Sequence, residues 1–399
     1  MLLLLGCAPA SLLLAPPPDV DNEGALHDLA PSTVAGNLRV AADGSGDFTT
    51  ISAAIEAAAR GATVSVAPGT YRERIDFGGR SVRVESTDGP EVTFLDAQGD
   101  GPNIVAENGE GDATAIVGFT LVDGRDDAGA VARVELASLH LEDVVVEGAW
   151  GGMLIGLSSG DLEMVDVDFG DATPTARGTV VYSSRGAVVA DGVRFSCGSG
   201  TYGYYLGHGS AFIDHSEVDC GGSYAQAWEH TTGNVFRSRL AGDITVVAED
   251  DHYTDAVRLE NNLILGNISA TYGTLVVRNS VLRGGGVNLS MTYTDTVIEN
   301  SVFEDAPCAF SSDSVDFSFR YNDVWNVGAT SCTGDERLGM DGNIGVNPQF
   351  TDEDAGDYTL RASSPLIDAG NEDPAQNDLD GTRNDIGLYG GLRTIAGGY

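Results

Sequence analysis

Apolar and polar residues alternate along most of this chain in short runs that recur about every 23 residues. LHLEDVVVEG (139–148), LEMVDVDFGD (162–171), AFIDHSEVDCG (211–221), VRLENNLILGN (257–267), LVVRNSVLRGG (275–285) and TVIENSVFEDA (296–306) share one form. Each reads apolar-x-apolar-x-turn residue-x-x-apolar and closes on Gly, Asp or Cys-Gly. The turn residue falls at Asp143, Asp166, Gly192, His215, Ser238, Asn261, Asn279, Asn300 and about Asn322. Alternation at period 2 marks a strand, and self-similarity at this length marks a stacked repeat. The pattern therefore predicts an all-β chain: a single-stranded right-handed parallel β-helix, one rung per period, with rungs about 4.8 Å apart. A lone rung cannot bury enough apolar surface to offset the entropy of ordering it, so rungs must stack and both ends need caps.

Both caps are legible. ISAAIEAAAR (51–60) has helical spacing, with Ile51, Ala54, Ile55 and Ala58 on one face and Gly61 as its stop. This helix should close the N-terminal end. After about residue 330 the repeat dissolves, which predicts an irregular C-terminal closing segment over 331–399 behind a coil spanning 37–330. Asn261, Asn279 and Asn300 share one rung position, where a left-handed backbone favours Asn; this column is expected to be structural.

Composition narrows the partners. All 21 basic residues are Arg, against 60 acidic residues, for a net charge of −39. Nucleic acid and anionic membrane surfaces need basic patches, so neither is expected as a partner. The sequence has no apolar run of about 20 residues, the length a transmembrane helix needs. Leu4-Leu5-Gly6 before Cys7 has the form of a lipobox, so Cys7 is a candidate lipidation site. Residues 1–36 then read as an export-signal remnant and a flexible tether, with the lipid as the sole link to a membrane. Cys197 and Cys220 are 23 apart, and Cys308 and Cys332 are 24 apart. Stacking would place each pair on adjacent rungs within disulfide reach, as an oxidising compartment permits. The expectation is an exported monomer at the cell surface or outside the cell.

VAADGSGDFTTISAAIEAAARGATVSVAPGTYRERI (40–75) resembles the opening of pectinesterases and of the wider pectin lyase-like superfamily. It carries Asp43-Gly44-Ser45-Gly46-Asp47-Phe48, then Pro68-Gly69-Thr70-Tyr71 and Glu73. The resemblance implies a β-helix and its first rung. It does not extend to esterase chemistry. The Gln-Asn expected after Gly118-Phe119-Thr120 is Leu121-Val122, and the expected Gln-Asp-Thr is Ala149-Trp150-Gly151-Gly152. Gly207-His208-Gly209 and Asp250-Asp251 resemble short polygalacturonase motifs, in reversed order and without the family's Arg-x-Lys.

Stacking converts period into proximity. His208, His230 and His252 are spaced by 22 and 22, and Arg185 lies 23 before His208. Tyr205, Trp228, Glu229, Asp250, Asp251 and Tyr253 surround them in sequence. Three readings stand open for this face. It is a polysaccharide cleft, in which Trp228, Tyr205 and Tyr253 bind sugar, Arg185 binds a uronate carboxylate, and the His and acidic residues move protons. Catalysis there would be that of a polysaccharide lyase or glycoside hydrolase. Alternatively the histidines and carboxylates hold a metal, or the column is a set of solvated turns on a non-catalytic surface, adhesion or spacer protein. The first reading predicts exposed aromatics; the second predicts imidazole nitrogens within about 4–5 Å of one another. Asp378, Asp380 and Asp385 have the spacing of an oxygen-rich calcium loop but lack a closing Glu.

Overall fold

A computed structural model describes residues 36–248, 256–290, 296–313 and 317–392. The repeats form a parallel β-helix with three faces, here called sheets 1, 2 and 3. Every pairing within the coil is parallel, and each strand pairs with the strand one rung on. In one rung the chain runs along sheet 1 (Tyr202–Gly207), sheet 2 (Gly209–Asp214) and sheet 3 (the start of Glu217–Glu229). Some strands continue round a corner, as Trp150–Asp168 and Glu217–Glu229 do. The three faces enclose one continuous column of Val, Leu, Ile, Ala and Phe side chains.

The caps lie where the pattern put them. The helix is Ile51–Ala57, shorter than the apolar spacing predicts, because Ala58 is already extended. Ile51, Ala54 and Ile55 face the coil. The Glu73 carboxylate accepts the Ile51 and Ser52 amides at 2.8 and 2.9 Å, satisfying donors that the first helical turn leaves open. Asp43 and Asp47 accept the amides of Ser45 and Arg39, and the Tyr71 hydroxyl donates to the Ala67 carbonyl. The family-like opening is thus a set of structural hydrogen bonds.

The turn column between sheets 2 and 3 is left-handed throughout. Asp143, Asp166, Gly192, His215, Arg237, Asn261, Asn279, Asn300 and Tyr321 have φ between 44° and 69°. Two positions differ from the sequence reading by one residue: Arg237 and Tyr321 hold the turn, not Ser238 and Asn322. The residue after the turn points inward, and there Ser216, Ser238, Asn262, Ser280, Ser301, Asn322 and Asn343 form a ladder. Each side-chain oxygen accepts the amide of the equivalent residue one rung earlier, at 2.9 to 3.2 Å from Ser216 N to Asn322 N. A left-handed residue turns the next N–H off the sheet ladder, and a buried N–H needs a partner.

The Asn column has a further role. Asn261 Nδ2 donates to the Leu388 and Gly390 carbonyls, both at 2.9 Å, and Asn279 Nδ2 donates to Asn384 Oδ1 at 2.8 Å. Asn300 Oδ1 accepts the Asn371 amide at 2.8 Å. The column therefore docks the closing segment. A second apolar cluster sits beneath that segment: Leu263, Val281 and Val302 from the coil against Phe350, Tyr358, Leu366, Ile386 and Leu388. Both predicted disulfides are present, with Cα–Cα distances of 4.6 Å for Cys197–Cys220 and 5.5 Å for Cys308–Cys332. Cys7 lies outside the described residues.

Candidate functional site

The corner from sheet 1 to sheet 2 brings together part of the predicted face. Ser183 pairs with Leu206 and Gly186 with Gly209, which stacks Arg185 on His208. Gly207 pairs with Glu229, which stacks His208 on His230. The two imidazoles lie parallel, with centroids 4.8 Å apart and planes 19° apart. Arg185 and His208 are exposed and His230 is half-buried. Beyond His230 the column does not keep a 22-residue spacing. Glu229 pairs with Val247, a rung of 18 residues (247 minus 229), so Ala248 stacks on His230. His252, Asp250, Asp251 and Tyr253 lie outside the described residues.

Most corner positions share a backbone conformation, Arg185 and Ala248 being the exceptions. Leu136, Ser159, His208, His230 and Tyr272 occupy it with φ between 48° and 64°. Asn, Asp and His enter this region more readily than other side chains. Histidine at 208, 215 and 230 coincides with positive φ each time. Leu136 and Tyr272 show that the position demands no particular chemistry.

Trp228 corrects the sequence reading. It is fully buried, and its indole N–H donates to Gln226 Oε1 at 3.1 Å inside the core. Alternation decides this: Leu206, Trp228 and Val246 stack in one inward column. Tyr205 points outward, and its hydroxyl donates to the Glu229 carboxylate. Burial first, and the Glu229 carboxylate second, raise the Tyr205 pKa, so the phenol stays a donor. Three further tyrosines complete a shelf on sheet 1. Tyr182 stacks on Tyr205 at 5.3 Å, Tyr202 stacks on Tyr224 at 4.9 Å, and Tyr202 meets Tyr205 at 90°. Register creates the stacks, since Tyr182 pairs with Tyr205 and Tyr202 with Tyr224. Each stack covers one face of each of its two rings.

No group of three His, Cys, Asp or Glu side chains among the described residues could hold a metal ion. Asp378, Asp380 and Asp385 serve turns. Asp378 accepts the Asp385 and Gly391 amides, Asp380 accepts the Thr382 amide and hydroxyl, and Asp385 accepts the Asp368 amide.

Sheet 2 carries a feature the sequence reading missed. Two adjoining depressions of about 400 and 340 Å³ cross its outer face and share Ala187 and Val189. Asp112, Ser138, His140, Asp161 and Glu163 line one end; Ser210, Phe212, Thr232, Asn234 and Arg258 line the other. His140, Glu163, Val189, Phe212, Asn234 and Arg258 are a single register column. At about 4.8 Å per rung, the groove runs roughly 24 Å along the axis. His140 is held between carboxylates: Nδ1 is 2.9 Å from Glu163 Oε2 and Nε2 is 3.3 Å from Glu142 Oε2. Arg83 donates to Glu142 at 3.0 Å and to Glu85 at 3.0 Å. The Arg83 hydrogen bond, with a smaller one from His140, holds Glu142 below the usual carboxylate range. His140 and Glu142 are two residues apart on one strand face, and Glu163 follows His140 by 23, one rung. That spacing was the available signal.

No family model and no curated protein matches this sequence. Several solved structures are similar in fold, three of which follow. A pectin methylesterase from carrot shares 15% identity over 80% of this chain and 90% of its own, with a TM-score of 0.32. XylC, in complex with xylose, shares 10% identity over 91% and 99%, with a TM-score of 0.47. The pectate lyase Pel9A shares 13% identity over 90% and 96%, with a TM-score of 0.39. At this level of identity and overlap the fold stands on the strand register, and the site on its own geometry.

Proposed function

We propose that this is an exported β-helix protein that binds an extended, neutral polysaccharide along the sheet 2 groove, with His140 the residue able to move a proton there. The observation that carries this reading is the groove itself. It is long and shallow, with polar ends and an apolar floor at Val189 and Phe212. An extended chain of sugar rings offers the matching sequence of apolar faces and hydroxyls. Asp112, Asp161 and Glu163 crowd one end, and the whole protein carries −39. A polyuronate would meet that field unfavourably, so an uncharged glycan fits better than an acidic one. Export is supported by the two cross-rung disulfides, and lipidation of Cys7 would retain the protein at a membrane.

The test is a panel of neutral, acidic and amino-sugar polysaccharides, read by calorimetry, by release of reducing ends and by absorbance of unsaturated products. Binding to a neutral member, weakened by Phe212→Ala and Arg258→Ala, is expected. If a product also forms, His140→Ala should abolish it. Binding to none of the panel, or binding indifferent to the groove variants, would sink the proposal and leave a rigid surface spacer.

A further inference from the structure

Where the closing segment lies against sheet 3, the seam holds more acid than base. Val281–Arg283, Val302–Glu304 and Asp323–Trp325 are consecutive sheet 3 strands, with Arg283 paired to Glu304 and Val302 to Asp323. From the closing segment come Glu353, Tyr358 and the Val346 amide. Arg283 is shared by Glu304 at 4.0 Å, Asp305 at 3.2 Å and Glu353 at 3.6 Å, and it donates to the Tyr358 hydroxyl at 3.2 Å. Asp323 Oδ1 accepts the Val346 amide at 2.9 Å. Glu304 Oε2 and Asp323 Oδ2 are buried and accept no hydrogen bond, and the two residues are 4% and 0% exposed. One guanidinium thus faces three carboxyl groups, and the seam buries two, Glu304 and Asp323.

We propose that this seam is an acid-stabilised latch: the closing segment docks with Glu304 and Asp323 protonated, and their ionisation releases it. A buried carboxylate with neither water nor a full ion pair is costly, whereas the protonated acid is cheap to bury. The facing groups agree with this. Burial, then the Glu353 carboxylate, pushes Glu304 up to about 7 against the pull of Arg283. Burial, with Glu304 beside it, pushes Asp323 up to about 7. Both groups bind protons more tightly docked than released. Their contribution to docking is therefore full below the ordinary carboxylate range, is lost as pH rises toward 7, and is gone above it. Each group contributes up to about tenfold per pH unit in that window. Release would uncover the Asn261, Asn279 and Asn300 amides and the apolar cluster around Phe350 and Leu366.

Hydrogen exchange on the full chain, corrected for intrinsic rates, tests the latch by comparing residues 344–366 with the sheet 2 strands between about pH 4.5 and 8. Wild type should lose protection in 344–366 by tenfold or more per unit as pH rises to 7, then level off, while sheet 2 stays flat. Asp378 and Asp385 are also raised by burial within the closing segment, so the decisive comparison is between variants. Glu304→Gln with Asp323→Asn should remove the loss between about pH 6 and 7 and leave the protein folded; the single variants should each remove part of it. Equal pH dependence in wild type and the double variant would overturn the latch. So would full protection of wild type at about pH 8 on adding millimolar calcium, which would identify a cation site instead.

Discussion

The corner of Arg185, His208 and His230 lies beside the middle of the groove column that runs from His140 and Glu163 to Arg258, and the two differ in what selected their residues. The corner is conspicuous in sequence because histidine recurs at the repeat period. His208 and His230 share a positive φ, which Leu136 and Tyr272 also adopt there and Arg185 does not. The groove is inconspicuous because its column runs through His, Glu, Val, Phe, Asn and Arg, with no residue type repeated. In a stacked coil, repetition of one residue type more often reports a backbone requirement. A ligand along the axis needs different groups at successive rungs.

This contrast can be broken experimentally, from large effects to small. Trp228→Ala empties a core site beside the corner and should cost about 3–5 kcal/mol in urea unfolding. Glycan affinity should be unchanged where the variant is folded; a loss of affinity there would restore Trp228 as a contact. Phe212→Ala combined with Arg258→Ala should lower affinity about a hundredfold, about 2.8 kcal/mol, with little change in unfolding midpoint. His208→Val forces a β-branched residue into a left-handed turn and should cost about 1–2 kcal/mol, whereas His208→Asn should stay within about 0.5 kcal/mol. If His208→Asn instead abolishes binding or turnover, the corner is the site and the groove is not. Tyr205→Phe removes one hydrogen bond to Glu229 on a partly exposed shelf and should change stability by about 1 kcal/mol or less.

Much of the fold was legible. The period named the coil, Ile51, Ala54 and Ile55 named the face of the cap, and the paired spacings of Cys197/Cys220 and Cys308/Cys332 named the bridges. The interior Ser/Asn ladder was not seen, because its members sit one residue past the conspicuous turn and differ in type. Trp228 was misplaced because a strand's alternation gives two faces without saying which one points in. The histidine column was extended at a constant period, whereas the rung after Glu229 is four residues shorter than that.

The sequence by itself determined the periodic elements: strands, left-handed turns, caps and rung length. These depend on φ/ψ preferences and apolar alternation, which are local properties. Only the tertiary structure decided which side chains meet: His140 with Glu142 and Glu163, Arg283 with its three carboxylates, and the Asn column with the closing segment. Apart from His140 with Glu142, those contacts join residues a rung or more apart. Rungs of 18 to 32 residues shift register at each turn, so no fixed period can predict them.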